Sequence, residues 1–279
     1  MAMDTQQIEV SLLLDAMHLK YGYNFSGYSR DMLTRRVLSR LSKSRFDNIG
    51  EMIPEVLHEP EFFDSLIYDI SITVTEMFRD PGVYKSLREK VLSVLKTYPN
   101  INIWHAGCAT GEEVYSMAIM LKEAGLYDRA RIYATDINDT ALKRAEEGIY
   151  PVENIREYTR NYQLAGGKGS FADYYHAKYG VAKMDKSLKE NVTFANHSLV
   201  DDGVFARMHL IVCRNVFIYF DKTLQNHVLK LFLDSLCEDG FLCLGNSESI
   251  AFSDFAQDFV EVVKNEKIYQ KETLAVKQI

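Results

Sequence analysis

The chain reads as an α/β protein: a mainly parallel sheet with helices on both faces, closed by a C-terminal β-hairpin and preceded by a small all-α segment. Three observations carry this. The first 80 or so residues show helical spacing and no strand alternation. From about Pro81 onwards helical and strand patterns alternate, as they do in parallel sheets. Near the end, Phe259-Val260-Glu261-Val262-Val263 and Lys267-Ile268-Tyr269-Gln270-Lys271 flank Lys264-Asn265-Glu266, the signature of a hairpin.

In order, helices are expected at Thr5 to Tyr21, Asp31 to Lys43, Ile49 to Leu57 and Pro60 to Ile70. In the second, Leu33, Val37, Leu38 and Leu41 recur with helical spacing, while Arg36, Arg40 and Lys43 fall on neighbouring turns. Ser71 to Pro81 holds β-branched residues and a proline that favours a new start, and reads as the hinge between a unit at 1–80 and one at 81–279. There follow a helix to Thr97, a first strand at Asn102 to Ala106, and a helix to Glu123. A second strand, Arg131 to Thr135, ends at Asp136, and a helix runs from Asp139 to Glu147. Further strands fall at Val192 to Ala195, His209 to Cys213 and Phe241 to Leu244. Between about 150 and 191 the alternation lapses, yet Tyr162, Phe171, Tyr174, Tyr175 and Tyr179 are too many aromatics for a linker, so an ordered insertion is expected.

With 279 residues, 47% of them hydrophobic, the chain can bury a sizeable core. No apolar run approaches the roughly 18 residues that span a bilayer. The start lacks the basic and apolar stretches of a secretion signal, so a cytoplasmic protein is expected. Cys108, Cys213, Cys237 and Cys243 form no C-x-x-C pair, which speaks against a zinc site or disulfide framework. The net charge of -7 argues against general nucleic-acid affinity. Residues 26–46 depart from it, with Arg30, Arg35, Arg36, Arg40, Lys43 and Arg45 against Asp31 alone. That segment is either a surface directed at an acidic partner or a solvated helix face.

After the first strand comes Gly107-Cys108-Ala109-Thr110-Gly111-Glu112-Glu113, a small-residue loop opening a helix on two carboxylates. A dinucleotide site has G-x-G-x-x-G there and seats a pyrophosphate on the helix N-terminus. Here the glycines stand four apart, and acids in that position repel an anion while suiting the sulfonium and ammonium of S-adenosylmethionine. First-turn acids also stabilise a helix by roughly 0.3–1 kcal/mol with no ligand. Asp136 is placed to accept hydrogen bonds from ribose hydroxyls, or else to cap the helix after it. Asn215, leaving the strand at His209 to Cys213, is a third strand-end residue facing the same crevice.

At this point the chain resembles the chemotaxis-receptor methyltransferases, the CheR group, over nearly its whole length. The resemblance rests on Thr75-Glu76-Met77-Phe78-Arg79-Asp80, Cys108 to Ser116, Ala134-Thr135-Asp136-Ile137, Cys213 to Phe220 and Gly245-Asn246-Ser247-Glu248-Ser249. It implies a class I S-adenosylmethionine-dependent methyltransferase fold, Rossmann-like, behind an all-α domain. It also implies an enzyme that forms methyl esters on receptor glutamates, releases S-adenosylhomocysteine and needs no metal. Thr75 and Arg79 would be inter-domain residues meeting the donor, with Thr73 where the family often has asparagine. Gly107 would belong to the donor loop, Glu113 would meet the amino-acid portion, Asp136 the ribose, and Asn215 with Val216 the reacting end. Ser198 and Leu199 fall at the asparagine-leucine contact beside the adenine, the serine being a departure. Arg79 and Tyr219 would stand near methyl transfer, a core role for Tyr219 remaining open. Arg35, Arg36 and Arg40 would dock the acidic methylation helices of receptors. The resemblance implies a monomer recruited to membrane receptor arrays without entering the bilayer. Some members grip a receptor tail pentapeptide with a β-subdomain in the insertion. Here the span from Tyr174 to Val192 is short and its candidate glycines lie earlier, at 166 to 169, so tail-independent binding is expected.

A glutamate side chain with a pKa near 4.3 is already ionised at neutral pH and needs no general base. This agrees with His105 inside a strand and His197 in a turn, both read as structural. Positioning can then supply up to roughly 7–11 kcal/mol of the barrier reduction, with Arg79 either holding the incoming carboxylate or shaping the donor pocket. Three alternatives stay open: a different methyl acceptor, a catalytically silent donor-binding scaffold and, weakest, a nicotinamide oxidoreductase.

Overall fold

A computed structural model describes residues 4–71 and 73–272; Met1, Ala2 and Met3 of the chain start and Ile72 of the expected hinge lie outside it. Four helices come first: α1 (Thr5–Tyr21), α2 (Arg30–Leu41), α3 (Met52–His58) and α4 (Pro60–Ile70). α1 stops at Gly22, whose φ of 79° lets its N–H reach back to the His18 carbonyl. α4 starts on Pro60 at its first turn, where a missing N–H costs nothing. Their inward faces meet in one apolar cluster that includes Leu13, Met17, Leu33, Val37, Met52 and Leu66.

The second unit begins before the residue 81 at which sequence alternation starts, because Met77 and Phe78 are fully buried in its core. α5 (Pro81–Ser86) passes through a π turn into α6 (Leu92–Leu95). Then come β1 (Ile101–Ala106), α7 (Glu112–Glu123), β2 (Ala130–Asp136) and α8 (Asp139–Glu147). After an insertion follow β6 (Val192–Asn196), β7 (Met208–Cys213), α10 (Lys222–Ser235), β8 (Leu236–Leu244), β9 (Phe259–Val263) and β10 (Ile268–Lys271). The seven-stranded sheet has the order β6-β2-β1-β7-β8-β10-β9, parallel except for the β10 pairings with β8 and β9. Trp104 and α10 fill one face, and α5 to α7 fill the other. α10 escaped the sequence reading although Leu224, Val228, Leu231 and Phe232 lie at helical spacing behind an Asp221 cap that accepts the Leu224 N–H at 2.8 Å.

The insertion holds β3 (Ile149–Pro151), α9 (Ile155–Leu164), β4 (Tyr175–Lys178) and β5 (Val181–Met184), the strands forming a small antiparallel sheet in the order β3-β5-β4. Its tight turn is Tyr179-Gly180, with φ of 51° and 78°, and not the glycines at 166 to 169. Those glycines belong to a loop pinned by Glu123 of α7. Its carboxylate accepts the Tyr162 hydroxyl at 2.5 Å and the Lys168 N–H at 3.0 Å, and pairs with Arg88 at 2.5 Å. Burial pushes that carboxyl up, but these donors reverse the effect and hold it below its ordinary value.

The two units are joined by backbone pairing. Tyr28 and Phe220 form an antiparallel bridge, the Ser29 N–H donates to the Tyr219 carbonyl at 2.8 Å, and the Asp221 N–H donates to Gly27 at 2.7 Å. Farther along, the Arg144 guanidinium lies 4.4 Å from the centre of the Tyr68 ring and donates to its hydroxyl.

Candidate active site

A cleft of about 1150 Å³, its open mouth included, sits at the carboxyl ends of β1, β2 and β7. In open parallel sheets this is where the strand order reverses and ligands bind. The helical unit roofs it with Phe25, Tyr28, Met32 and Leu33.

The floor is the loop after β1. Gly107, Ala109 and Gly111 all have positive φ (74°, 48° and 89°), so the chain turns sharply. The Gly107 and Cys108 N–H groups donate to the Thr135 carbonyl at 2.8 and 2.9 Å. A Cβ added to Gly107 would stand 2.6 Å from Cγ2 of Val216, so glycine lets the β1 and β7 ends close together. Asp136 fastens this loop: Oδ2 accepts the Ala109 N–H at 2.9 Å and Oδ1 the Asn138 N–H at 3.0 Å. Burial raises its pKa, and these hydrogen bonds work against the rise. The cap of α8 is Asn138, whose side chain accepts the Ala141 N–H.

The two acids opening α7 part company. Glu113 faces the cleft. Glu112 is 6% exposed, accepts the Thr110 hydroxyl at 2.7 Å, and is pushed up to about 7 by burial. Nor is Glu113 a bare charge, because Arg214 pairs with its Oε1 and the Tyr84 hydroxyl donates to it at 3.2 Å. The expectation of a pair of acids lining the pocket is therefore corrected. Successive helical residues point about 100° apart, so one faces the ligand space, and an arginine partly balances it.

Asn215 leaves β7 with φ 60°, its N–H held by Glu248 at 3.0 Å. The Glu248 carboxylate, 3% exposed, also takes the N–H groups of Gly245 at 2.6 Å and Ile218 at 3.2 Å, so the Gly245 to Ser249 block shapes the loop carrying Asn215. Asn215 Oδ1 is buried in the cleft wall without a hydrogen-bond partner among the described residues, an acceptor suited to a ligand donor. Tyr219 is half-buried. Burial raises its phenol pKa, and the positive charges of Arg36 and Arg79 draw it back down.

Thr73, Thr75, Arg79, Gly107, Glu113, Asp136, Leu199, Asn215, Val216 and Tyr219 thus line one cleft. Ser198 does not. Its hydroxyl accepts the Val200 and Asp201 N–H groups and donates to Asp201 at 3.1 Å, a turn that occupies the side chain outside the cleft. Arg40 departs as well, since it pairs with Asp69 at 2.7 Å and lies over the Phe62 ring, inside the helical unit. Arg35 is exposed, its Nε donating to the Asp31 carbonyl of its own helix. Sequence reasoning missed Arg214, Glu248 and Tyr28, although the first two stand in the motif blocks. His105 is buried, and burial drives its pKa down to about 3. His197 stacks edge-on against Trp104.

The residues present fit S-adenosylmethionine: a strand-end carboxylate for vicinal hydroxyls, a second carboxylate for an ammonium, an orphaned amide oxygen, and Leu199 and Ile137 as apolar wall. Among the described residues no group of three or more His, Cys, Asp or Glu could hold a metal ion, and no helix is long and apolar enough to cross a membrane.

The family pattern described as "CheR methyltransferase, SAM binding domain" matches residues 73–267, and that described as "CheR methyltransferase, all-alpha domain" matches residues 8–71. A Pseudomonas putida protein, designated provisionally as methyltransferase Cher3, is 50% identical over 264 residues, 95% of this chain and 97% of its own. The chemotaxis protein methyltransferase of Borreliella burgdorferi is 31% identical, over 87% of this chain and 88% of its own. That of Salmonella typhimurium is 28% identical, over 87% and 83%. With both patterns covering the helical roof and the sheet beneath it, the chain belongs to the CheR methyltransferase family and is an S-adenosylmethionine-dependent methyltransferase.

Proposed function

We propose that this enzyme methylates glutamate side chains on the cytoplasmic helices of chemotaxis receptors, giving glutamate methyl esters and S-adenosylhomocysteine. The observation that carries the reading is Arg79 of the linker, which lines the cleft together with Tyr219, where the positive charge of Arg36 from the helical unit is also felt. A carboxylate acceptor is drawn to such a place, and a neutral or cationic acceptor is not. The names of the Borreliella and Salmonella relatives support a role in chemotaxis.

When bound, S-adenosylmethionine supplies an electrophilic methyl group on a positively charged sulfur. In this reading Asp136 holds the ribose, Glu113 the α-ammonium, and Leu199 packs beside the adenine. Thr73, Thr75 and Arg79 close the cleft from the linker, and Asn215 with Val216 shapes the reacting end over Gly107. Arg79 and Tyr219 orient the acceptor carboxylate, which is ionised at neutral pH and needs no base. His105, kept neutral by burial, stays structural. The helical unit offers Arg35 and Arg36 to acidic receptor helices, and the sheet unit with the linker residues that line its cleft carries the chemistry. The protein works as a cytoplasmic monomer recruited to receptor arrays by this docking.

Incubation with methyl-labelled donor and receptor fragments, followed by base, tests the reading. A carboxyl ester releases volatile labelled methanol. Label that survives base or stays off receptor glutamates would overturn it.

A further inference from the structure

Arg214 is the most enclosed cation of the cleft, its side chain 1% exposed, and it serves two carboxylates at once. One amino group pairs with Glu113 and donates to the Arg79 carbonyl at 3.0 Å. The other pairs with Asp80 at 2.6 Å. Three elements converge on this guanidinium: the linker through Arg79 and Asp80, the start of α7 through Glu113, and the end of β7 through Arg214 itself. The linker is held for the purpose. Phe78 and Asp80 both adopt positive φ, 52° and 53°, and the Phe78 N–H is anchored on the Ser116 hydroxyl at 2.9 Å. Glu266 also acts on this group of charges, its own carboxyl feeling both Arg214 and Asp80.

We infer that Asp80 is a positioning residue for the donor: by sharing Arg214, it keeps that cation from fully neutralising Glu113 and so leaves the Glu113 carboxylate available to an ammonium group. The chemistry is a competition. A guanidinium offers a fixed fork of donors, and a second carboxylate on the fork weakens its hold on the first. Asp80 itself is 39% exposed at the side chain and acts on the donor site through Arg214. The inference rests on the reading of Glu113 as the ammonium's partner.

Asp80→Asn tests it cleanly, because asparagine tolerates the left-handed backbone and matches the shape while removing the charge. The ligands are S-adenosylhomocysteine, which carries the amino-acid portion, and 5′-methylthioadenosine, which has the same nucleoside and sulfur without it. The Kd of the first is expected to rise about three- to tenfold and that of the second to stay unchanged. In a Glu113→Gln background Asp80→Asn is expected to add nothing, as residues acting through one another do not add. Unchanged binding of S-adenosylhomocysteine, equal weakening of both ligands, or full additivity would overturn the inference. If Glu113→Gln alone leaves S-adenosylhomocysteine binding intact, the assignment of Glu113 fails, and the role of Asp80 falls with it.

Discussion

Asp136 at the end of β2 accepts the Ala109 N–H at 2.9 Å, so the acid of one strand sets the shape of the loop that leaves its neighbour. The same carboxylate lines the cleft, so a loop-shaping role and the proposed ribose contact fall on one side chain. Asp136→Ala should therefore weaken S-adenosylhomocysteine binding at least tenfold and also lower stability by about 1–3 kcal/mol, the cost of stranding buried donors. Asp136→Asn, which keeps one acceptor, should lose affinity with a smaller change in Tm. Calorimetric titration beside thermal melts separates the two, and unchanged affinity in both variants would remove Asp136 from the site.

Glu112 gives the protein a pH dependence of its own. Its folded-state pKa, about 7, lies above the ordinary carboxyl value of 4.5, so the contribution it makes is full below the unfolded pKa and is lost as pH rises through 7. Glu112→Gln should flatten the fall in Tm between pH 5 and 8. At pH 8 it should raise Tm by about 2–6 °C, as expected for a gain of roughly 1–2 kcal/mol in a chain of this size. A wild-type slope that survives the substitution would contradict the placement of that acid.

The basic residues of α2 should separate by function. Arg36→Ala is expected to raise KM for a receptor fragment about threefold or more at low salt, with donor affinity intact and the difference shrinking at high salt. Arg40→Ala should instead cost about 1 kcal/mol of stability, because it leaves Asp69 and Phe62 without their partner. Equal effects of the two on KM would show that α2 presents an undivided basic stripe.

Arg79→Ala should reduce kcat more than it reduces Tm, since the side chain lines the cleft while its carbonyl remains available to Arg214. Single-turnover transfer measured beside melting distinguishes a functional loss from an unfolded linker.

Gly107→Ala brings a methyl group to 2.6 Å from Val216 at a φ of 74°. Donor affinity should fall at least tenfold. Gly107→Ala combined with Val216→Ala should recover part of it, and no recovery would mean that backbone strain, not the clash, dominates.

Much of the fold was legible because local signals were unambiguous: Pro60 starts α4, and the apolar run before Gly107 is β1. The small sheet was not, since β3 pairs with a strand some thirty residues away and its turn hides behind Tyr179 rather than a glycine pair. At the site, strand-end residues such as Asp136 and Asn215 could be read because a parallel sheet gathers its carboxyl ends on one edge. Ser198 was misplaced because a turn closed by Asp201 and Asp202 claims it, a serine with acids three and four residues on that was visible in the sequence. The partners of Arg40 and Arg214 lie 29 and about a hundred residues away, and no local pattern reveals such pairs.

The bridge between Tyr28 and Phe220 makes the cleft a property of both units, with Phe25, Tyr28, Met32 and Leu33 as part of its wall. A chimaera that takes its first seventy residues from a relative would thus exchange part of the cleft wall along with α2. Swapping the helical unit between relatives is expected to change donor affinity unless the seam at Tyr28 and Phe220 is re-fitted with it.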